Sequence, residues 1–383
     1  MVRVGILANE FFDTRFGGYG GFGFAARRAG RTLARRVGWE PLFIMAKPTP
    51  DHLGERDLLD GIEILLHPRS QSRTRYARRL VGTRLDVLLC IDYRPSYKTK
   101  MLLLGRTPSI VWIRDPRSGA DVASVSALRL PDGSEAAGID PIDCTGLADF
   151  ARLPVWLRGR LLFGLNAYYY KDKMLDTYGV SAPNAALLPT PIISRDLAPT
   201  STLERSMRPS VIYLGRLDPI KRPWVFVETA RLMPEVDFVM TGHRHFTGQG
   251  AWEPDEIPPN LSLVGHVEGP AKEKALSQAW LLMNPSIHEA LPLSFIEALA
   301  YGLPIVSTQD PDGVVTRFGH VVSNASGDGS EMAPHFAAAI SDLLSRPDPD
   351  VSQQEARAWA MQYSEDGFVS ALTRLLRQPD MVL

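Results

Sequence analysis

The stretch HEALPLSFIEALAYGLPIVS, residues 288–307, decides the fold. Leu293–Leu299 is apolar enough for a packed helix, and Pro304–Ser307 for a buried strand. Pro292 and Ser294 fit a helix start, which leaves Glu289 on the preceding loop and sets Glu297 in the first turn or so. Alone, two acids at a helix entrance are explained by the helix dipole, worth tenths of a kcal/mol each. Their neighbours decide whether they do more.

Outward from this stretch, short β-branched or Leu-rich runs alternate with longer helical ones, the pattern of α/β domains built on parallel sheets. Expected strands are Val2–Ala8, Pro41–Met45, Ile62–Leu66, Val87–Ile91 and Ser109–Ile113, with a helix over Gly23–Val37. Residues 119–154 read as less regular, with PDGSEAAGIDP a loop, and Leu157–Tyr178 reads as a helix. The proline-rich stretch LPTPIISRDLAPTSTLERSMRPS reads as a linker, after which SVIYLGRL starts a second alternating unit. Its helices are expected over Trp224–Leu232 and Glu273–Gln278, and its strands over Asp237–Thr241, Leu261–Gly265 and Trp280–Asn284. The expected domains are 1–193 and 194–365, two Rossmann-like parallel-sheet units facing an interdomain cleft. A closing helix, about 366–383, packs back onto the first domain or stays with the second.

A net charge of -1 on 383 residues argues against bulk nucleic-acid binding. Cys90 and Cys144 are too few for a disulfide framework or a cysteine zinc site. No apolar run is long enough to span a membrane, and MVRVGILANE reads as a strand rather than a signal peptide. The expectation is a reduced, cytoplasmic protein.

Three motifs carry chemistry. In FGGYGGFGF, Gly18, Gly20 and Gly23 match the spacing of a dinucleotide fingerprint. The context disagrees, because ANEFFDTRF separates them from their strand and the second strand ends IMAKP without the ribose-binding acid. A glycine loop that lets backbone N–H groups approach a ligand fits better, beside the plain reading of a surface loop. In GRLDPIKRP, Arg216 and Lys221 flank a strand-to-helix turn and suit a diphosphate clamp, or are solvated turn charges. Beside such a clamp, Glu289 and Glu297 would repel an anion unless each met neutral hydroxyls. Diphosphate in the middle with a sugar at each end describes a nucleotide sugar.

GRLDPIK, HVEG and NPSIHEALPLSFIEALAYGLPIVS, taken in order, resemble the second domain of glycosyltransferase family 4, which has the GT-B fold. Glu289 and Glu297 match its E-x7-E hallmark, FGGYGGFGF resembles its first-domain glycine loop, and YSEDGFVSALTRLL its terminal helix. The resemblance implies a retaining transferase that takes sugar from a nucleoside-diphosphate sugar to an acceptor hydroxyl of a glycan, glycolipid or small molecule. It needs no metal and no cofactor beyond the donor as co-substrate. Arg216 and Lys221 would bind the diphosphate and stabilise the leaving group, Glu297 would hold the ribose, and Glu289 would lie beside the transferred sugar. Gly17 and Gly18 would sit near the phosphates, and Leu291 and Pro292 would supply backbone contacts.

One departure stands out. Where the family often carries His after a strand like PSIVWI, this chain has Arg114 and Asp115. Arg114 can donate a hydrogen bond to the donor but cannot act as a base, and Asp115 is an acceptor-side base or a turn acid. Arg94 in DYRPSY competes for the same role. Six arginines between Arg69 and Arg84 read as a solvated face, or as a surface for an anionic acceptor or acidic lipids. The rival readings are a nucleotide-sugar epimerase of the same fold and a non-catalytic relative.

Overall fold

The computed structural model describes residues 1–18, 20–137, 143–192, 204–244, 246–346 and 350–380. The chain divides into two α/β units, each with its own sheet and apolar core. One gathers Met1–Ser118, Ile142–Ile193 and Tyr363–Leu383; the other gathers Gly119–Pro141 and Ser194–Gln362.

The first unit opens with β1 (Val2–Ala8), α1 (Gly21–Ala34) and β2 (Trp39–Met45). A hairpin of β3 (Arg56–Leu59) and β4 (Ile62–Leu65) turns at Asp60 and Gly61, both at positive φ. It continues through α2 (Arg73–Val81), β5 (Val87–Ile91), α3 (Pro95–Leu104) and β6 (Ser109–Ile113). The chain then contributes α4 (Gly119–Ser126) to the second unit. It returns with α5 (Leu147–Ala151), α6 (Val155–Arg158), β7 (Leu161–Leu165), α7 (Tyr170–Tyr178) and β8 (Ala186–Leu187). The strand order is β3-β4-β2-β1-β5-β6-β7-β8, parallel except between β3 and β4. Winding runs outward from β1 in one direction and from β5 in the other. The switch point, where open parallel sheets take ligands, therefore lies between β1 and β5.

The second unit holds β9 (Ser210–Leu214), α8 (Pro223–Leu232), β10 (Asp237–Thr241), β11 (Leu261–Gly265), α9 (Pro270–Gln278) and β12 (Leu281–Asn284). After them come α10 (Leu293–Ala300), β13 (Ile305–Ser307), α11 (Val314–Phe318), β14 (Gly319–Val321), α12 (Ala333–Leu344) and α13 (Asp350–Ala360). Its sheet, β11-β10-β9-β12-β13-β14, is wholly parallel, with the switch between β9 and β12. The last helix, α14 (Glu365–Leu376), belongs to the first unit. Phe368, Leu372 and Leu375 enter the first core, and the Ile192 N–H donates to the Tyr363 carbonyl at 2.7 Å where the chain comes back.

Two readings of the sequence are corrected. The single helix expected over Leu157–Tyr178 contains β7, a strand buried on both faces. Such a strand needs no polar alternation, so LLFGL matches a buried helix equally well. The division at residue 193 put 119–141 in the first domain, yet Val125, Leu128 and Leu130 pack in the second core with Val211 and Trp224. The linker reading over 193–203 falls outside the described residues. Among those described, no helix is long and apolar enough to cross a membrane.

Candidate active site

At the second switch point, β9 hands over at Leu214 to Gly215-Arg216-Leu217-Asp218, and β12 hands over at Asn284 to Pro285-Ser286-Ile287-His288-Glu289. Both loops leave the carboxyl edge of neighbouring strands. A 3-10 turn over Pro219–Lys221 is stitched to the second loop by the Ile287 N–H, which donates to the Ile220 carbonyl at 2.9 Å.

Across that stitch, Lys221 Nζ donates to both oxygens of Glu289 at 2.6 Å. Ser286 Oγ and Asn284 Nδ2 donate to Glu289 Oε1 at 2.7 and 3.1 Å. Glu289 is buried, only 8% exposed. Burial pushes its carboxyl up, but the Lys221 ammonium and the hydrogen bonds outweigh that and hold its pKa below the ordinary glutamate value. Glu289 is thus a fixed, charged acceptor on the loop that follows β12.

Arg216 reaches out half-exposed from the same turn. The Tyr213 hydroxyl donates to its carbonyl at 2.7 Å, and its Nε lies 3.0 Å from Asp218 Oδ2. Asp218 is buried, and neither of its oxygens accepts an aligned hydrogen bond, so this contact is a charge contact. Arg222, next to Lys221, has φ 45° and a fully buried guanidinium that donates to Asn324 Oδ1, Ala325 O and Gly327 O at 2.8, 2.6 and 2.9 Å. This buried strut, with Pro223 opening α8, fixes where the turn ends.

Helix α10 begins after Pro292, its N-cap, with Leu291 buried just before it. Glu297 is the fifth residue of the helix, just past its first turn. It is 5% exposed and accepts from Lys272 Nζ of α9 at 2.7 Å. Each acid of the E-x7-E pair therefore carries its own lysine. His288 Nδ1 lies 3.6 Å from Asp121 Oδ1, so α4 meets the loop that bears Glu289.

In the first unit, the switch point between β1 and β5 receives the glycine loop from one strand and Asp92-Tyr93-Arg94 from the other. Gly17 and Gly18 have φ 105° and 97°, and a Cβ on Gly17 would lie 2.7 Å from the Asn9 carbonyl. The Gly18 N–H donates to the Asp13 carbonyl at 3.0 Å, and the Gly23 N–H to Glu10 Oε1 at 2.9 Å. Two amides of the loop are thus satisfied by the chain itself, and its own carboxylate sits at the start of α1. The Arg94 guanidinium packs over the Phe22 ring at 5.0 Å.

Arg114 lies over the Trp112 ring and donates to Asn166 Oδ1 at 2.9 Å and to Thr190 Oγ1 at 2.5 Å. Burial lowers its pKa to about 10, so it stays charged at neutral pH. Asp115 accepts from Arg117 Nε and Nη2 at 3.1 and 2.8 Å. Arg216, Lys221, Glu289, Leu291, Pro292 and Glu297 thus belong to the second unit, and Gly17, Gly18, Arg114 and Asp115 to the first. The sequence reading took Asp218 only as a turn residue and assigned no role to Lys272, Asn284, Ser286 or Glu10. Asn284 and Ser286 lay inside the NPSIHE motif, whereas nothing local marks Lys272 as a partner of Glu297. Among the described residues, no three His, Cys, Asp or Glu side chains are grouped to hold a metal ion.

Residues 208–346, all within the second unit, match the family profile described as Glycosyl transferases group 1. D-inositol 3-phosphate glycosyltransferase of Mycolicibacterium smegmatis is 28% identical over 171 residues, which is 42% of this chain and 38% of that protein. The match thus spans less than two-fifths of that curated relative's length. Sucrose-phosphate synthase from Thermosynechococcus elongatus superposes over 99% of each chain with a TM-score of 0.65 at 15% identity. Anabaena Alr3699/HepE, solved with UDP-glucose, covers 98% of this chain and 99% of its own with a TM-score of 0.63 at 13% identity. These likenesses establish the fold: two Rossmann-like units of the GT-B type.

Proposed function

We propose that this chain is a retaining glycosyltransferase of family 4, moving sugar from a nucleoside-diphosphate sugar to an acceptor hydroxyl, with the donor held mainly by the second unit. The observation that carries this reading is the Lys221–Glu289 pair at the β9/β12 switch point, two opposite charges 2.6 Å apart on the loops that bear the two motifs. Lys221 and Arg216 take the diphosphate and stabilise the charge that grows on it as the glycosidic bond breaks. Glu289 accepts from hydroxyls of the transferred sugar and steadies positive charge developing on its ring. Glu297 accepts from the ribose, while Leu291 and Pro292 present backbone at the helix entrance. The UDP-glucose named with the Anabaena neighbour supports a nucleoside-diphosphate sugar as donor.

The test is a thermal-shift panel of nucleoside diphosphates and their sugars, followed by turnover of the stabilising donor. A ligand at about 100 times its dissociation constant adds about 2.7 kcal/mol of stability. Transfer should persist in excess chelator, since Arg216 and Lys221 rather than a metal neutralise the diphosphate. Incubating the donor without acceptor separates the same-fold alternative: an isomerised donor sugar would replace transfer by epimerisation. The retained anomer is read by NMR of the first product formed.

A further inference from the structure

The Arg69–Arg84 arginines are not one uniform surface. Arg75 Nε lies 2.8 Å from Glu55 Oε1 and Arg79 Nε 3.4 Å from Glu55 Oε2, so the middle of the run is already paired. Arg78 and Arg84 are exposed and carry no ion pair among the described residues.

The place where this run ends is distinctive. The loops entering β5, β6 and β7 are neighbours at the amino edge of the first sheet, since Leu88, Ser109 and Leu161 are level across it. Thr107 Oγ1 donates to the Leu85 carbonyl at 3.4 Å, and a Cβ on Gly159 would lie 2.7 Å from the Gly105 carbonyl. The C-terminal ends of α2, α3 and α6 therefore meet at one edge. That edge is apolar where it should be wet: Trp156 is 74% exposed, and Val155, Leu157, Leu103 and Val81 are exposed beside it. Arg78, Arg84, Arg106 and Arg152 are exposed around them, and among the described residues only Arg152 of the four has an ion pair, with Asp149 at 3.6 Å.

We propose that this edge, with Trp156 at its tip and Arg78, Arg84 and Arg106 around it, docks on an anionic lipid bilayer. The chemistry is that of an interfacial anchor. An indole and short aliphatic side chains enter the headgroup boundary, and guanidinium groups pair with lipid phosphates. Charge complementarity selects the occupant: the chain as a whole is near neutral at -1, so cations without partners around an apolar tip are a local feature. The surface lies at the opposite end of the sheet from the glycine loop that follows β1, so docking leaves the first switch point free. The proposal stands independently of the transfer reading.

The test is co-sedimentation of the full chain with phosphatidylcholine vesicles, with and without phosphatidylglycerol. Binding is expected only with phosphatidylglycerol and should fall as salt rises. Trp156→Ala and the triple variant Arg78→Glu/Arg84→Glu/Arg106→Glu should each lower vesicle affinity at least about tenfold. Donor turnover in solution and melting temperature should remain those of the parent. No binding to anionic vesicles, or equal binding by the variants, would overturn the proposal. So would a dimer of the parent chain that dissociates on Trp156→Ala, because the edge would then be covered by a second copy.

Discussion

Lys221 sits in a position where one substitution has two separable effects. If Lys221 holds the donor diphosphate as proposed, Lys221→Ala removes a cation from the growing negative charge of the leaving group, and kcat should fall about 10²–10³-fold. It also strands the buried Glu289 carboxylate, at a cost of up to about 3 kcal/mol given the 21% exposure of the Lys221 side chain. Lys221→Met with Glu289→Gln should recover most of that stability and none of the activity, a split that denaturant melts and turnover together would expose. Acid acts on the same carboxylate. The folded-state pKa of Glu289 is depressed, so its contribution is complete above the unfolded glutamate value and is lost as pH falls through the folded value. Stability against pH should therefore be flatter in that acid window for Glu289→Gln than for the parent. Glu289 and Glu297 were legible in the sequence because their spacing and loop context recur as a motif. Lys272 was not, because its pairing with Glu297 at 2.7 Å depends on how α9 and α10 are placed, which no local pattern encodes.

Among the elements, the glycine loop makes the sharpest distinction between neighbouring residues. Gly17→Ala meets both a left-handed φ of 105° and backbone 2.7 Å away, whereas Gly18→Ala, at φ 97°, meets open space. Both carry the conformational penalty, about 1–3 kcal/mol, but Gly17→Ala adds a clash with backbone that cannot rotate away. Denaturant titration should rank Gly17→Ala clearly the more destabilised. The loop was legible as a loop, and its exclusion as a dinucleotide fingerprint came from the residues around it. That its own Glu10 and Asp13 satisfy two of its amides was not legible, since both acids lie upstream in a stretch with no period. Strand β7 was misread for a related reason: a strand covered on both faces loses the alternation that marks one.

For the whole molecule, the α/β class and the existence of two units followed from the alternation of short apolar runs with helices and from the restart at SVIYLGRL. Which residues belong to which unit did not, because unit membership is set by side chains that pack at long range. Val125 and Leu128 look like any amphipathic segment until the second core is seen around them. Leu372, fully buried in the first core, should cost about 2–5 kcal/mol when cut to Ala. Thermal melts followed by tryptophan fluorescence and by limited proteolysis should assign that loss to the first unit.

The return of α14 to the first unit also bears on how the chain is made. Synthesis runs from the amino towards the carboxyl end, and domains that are continuous in sequence can fold as they emerge. Here the first core lacks Phe368, Leu372 and Leu375 until those residues have left the ribosome, long after β1 to β8 are available. The second unit, by contrast, has all of its described residues once Gln362 has emerged. The unit translated first is thus the one completed last, and it must wait with an open apolar seam while its neighbour can already close.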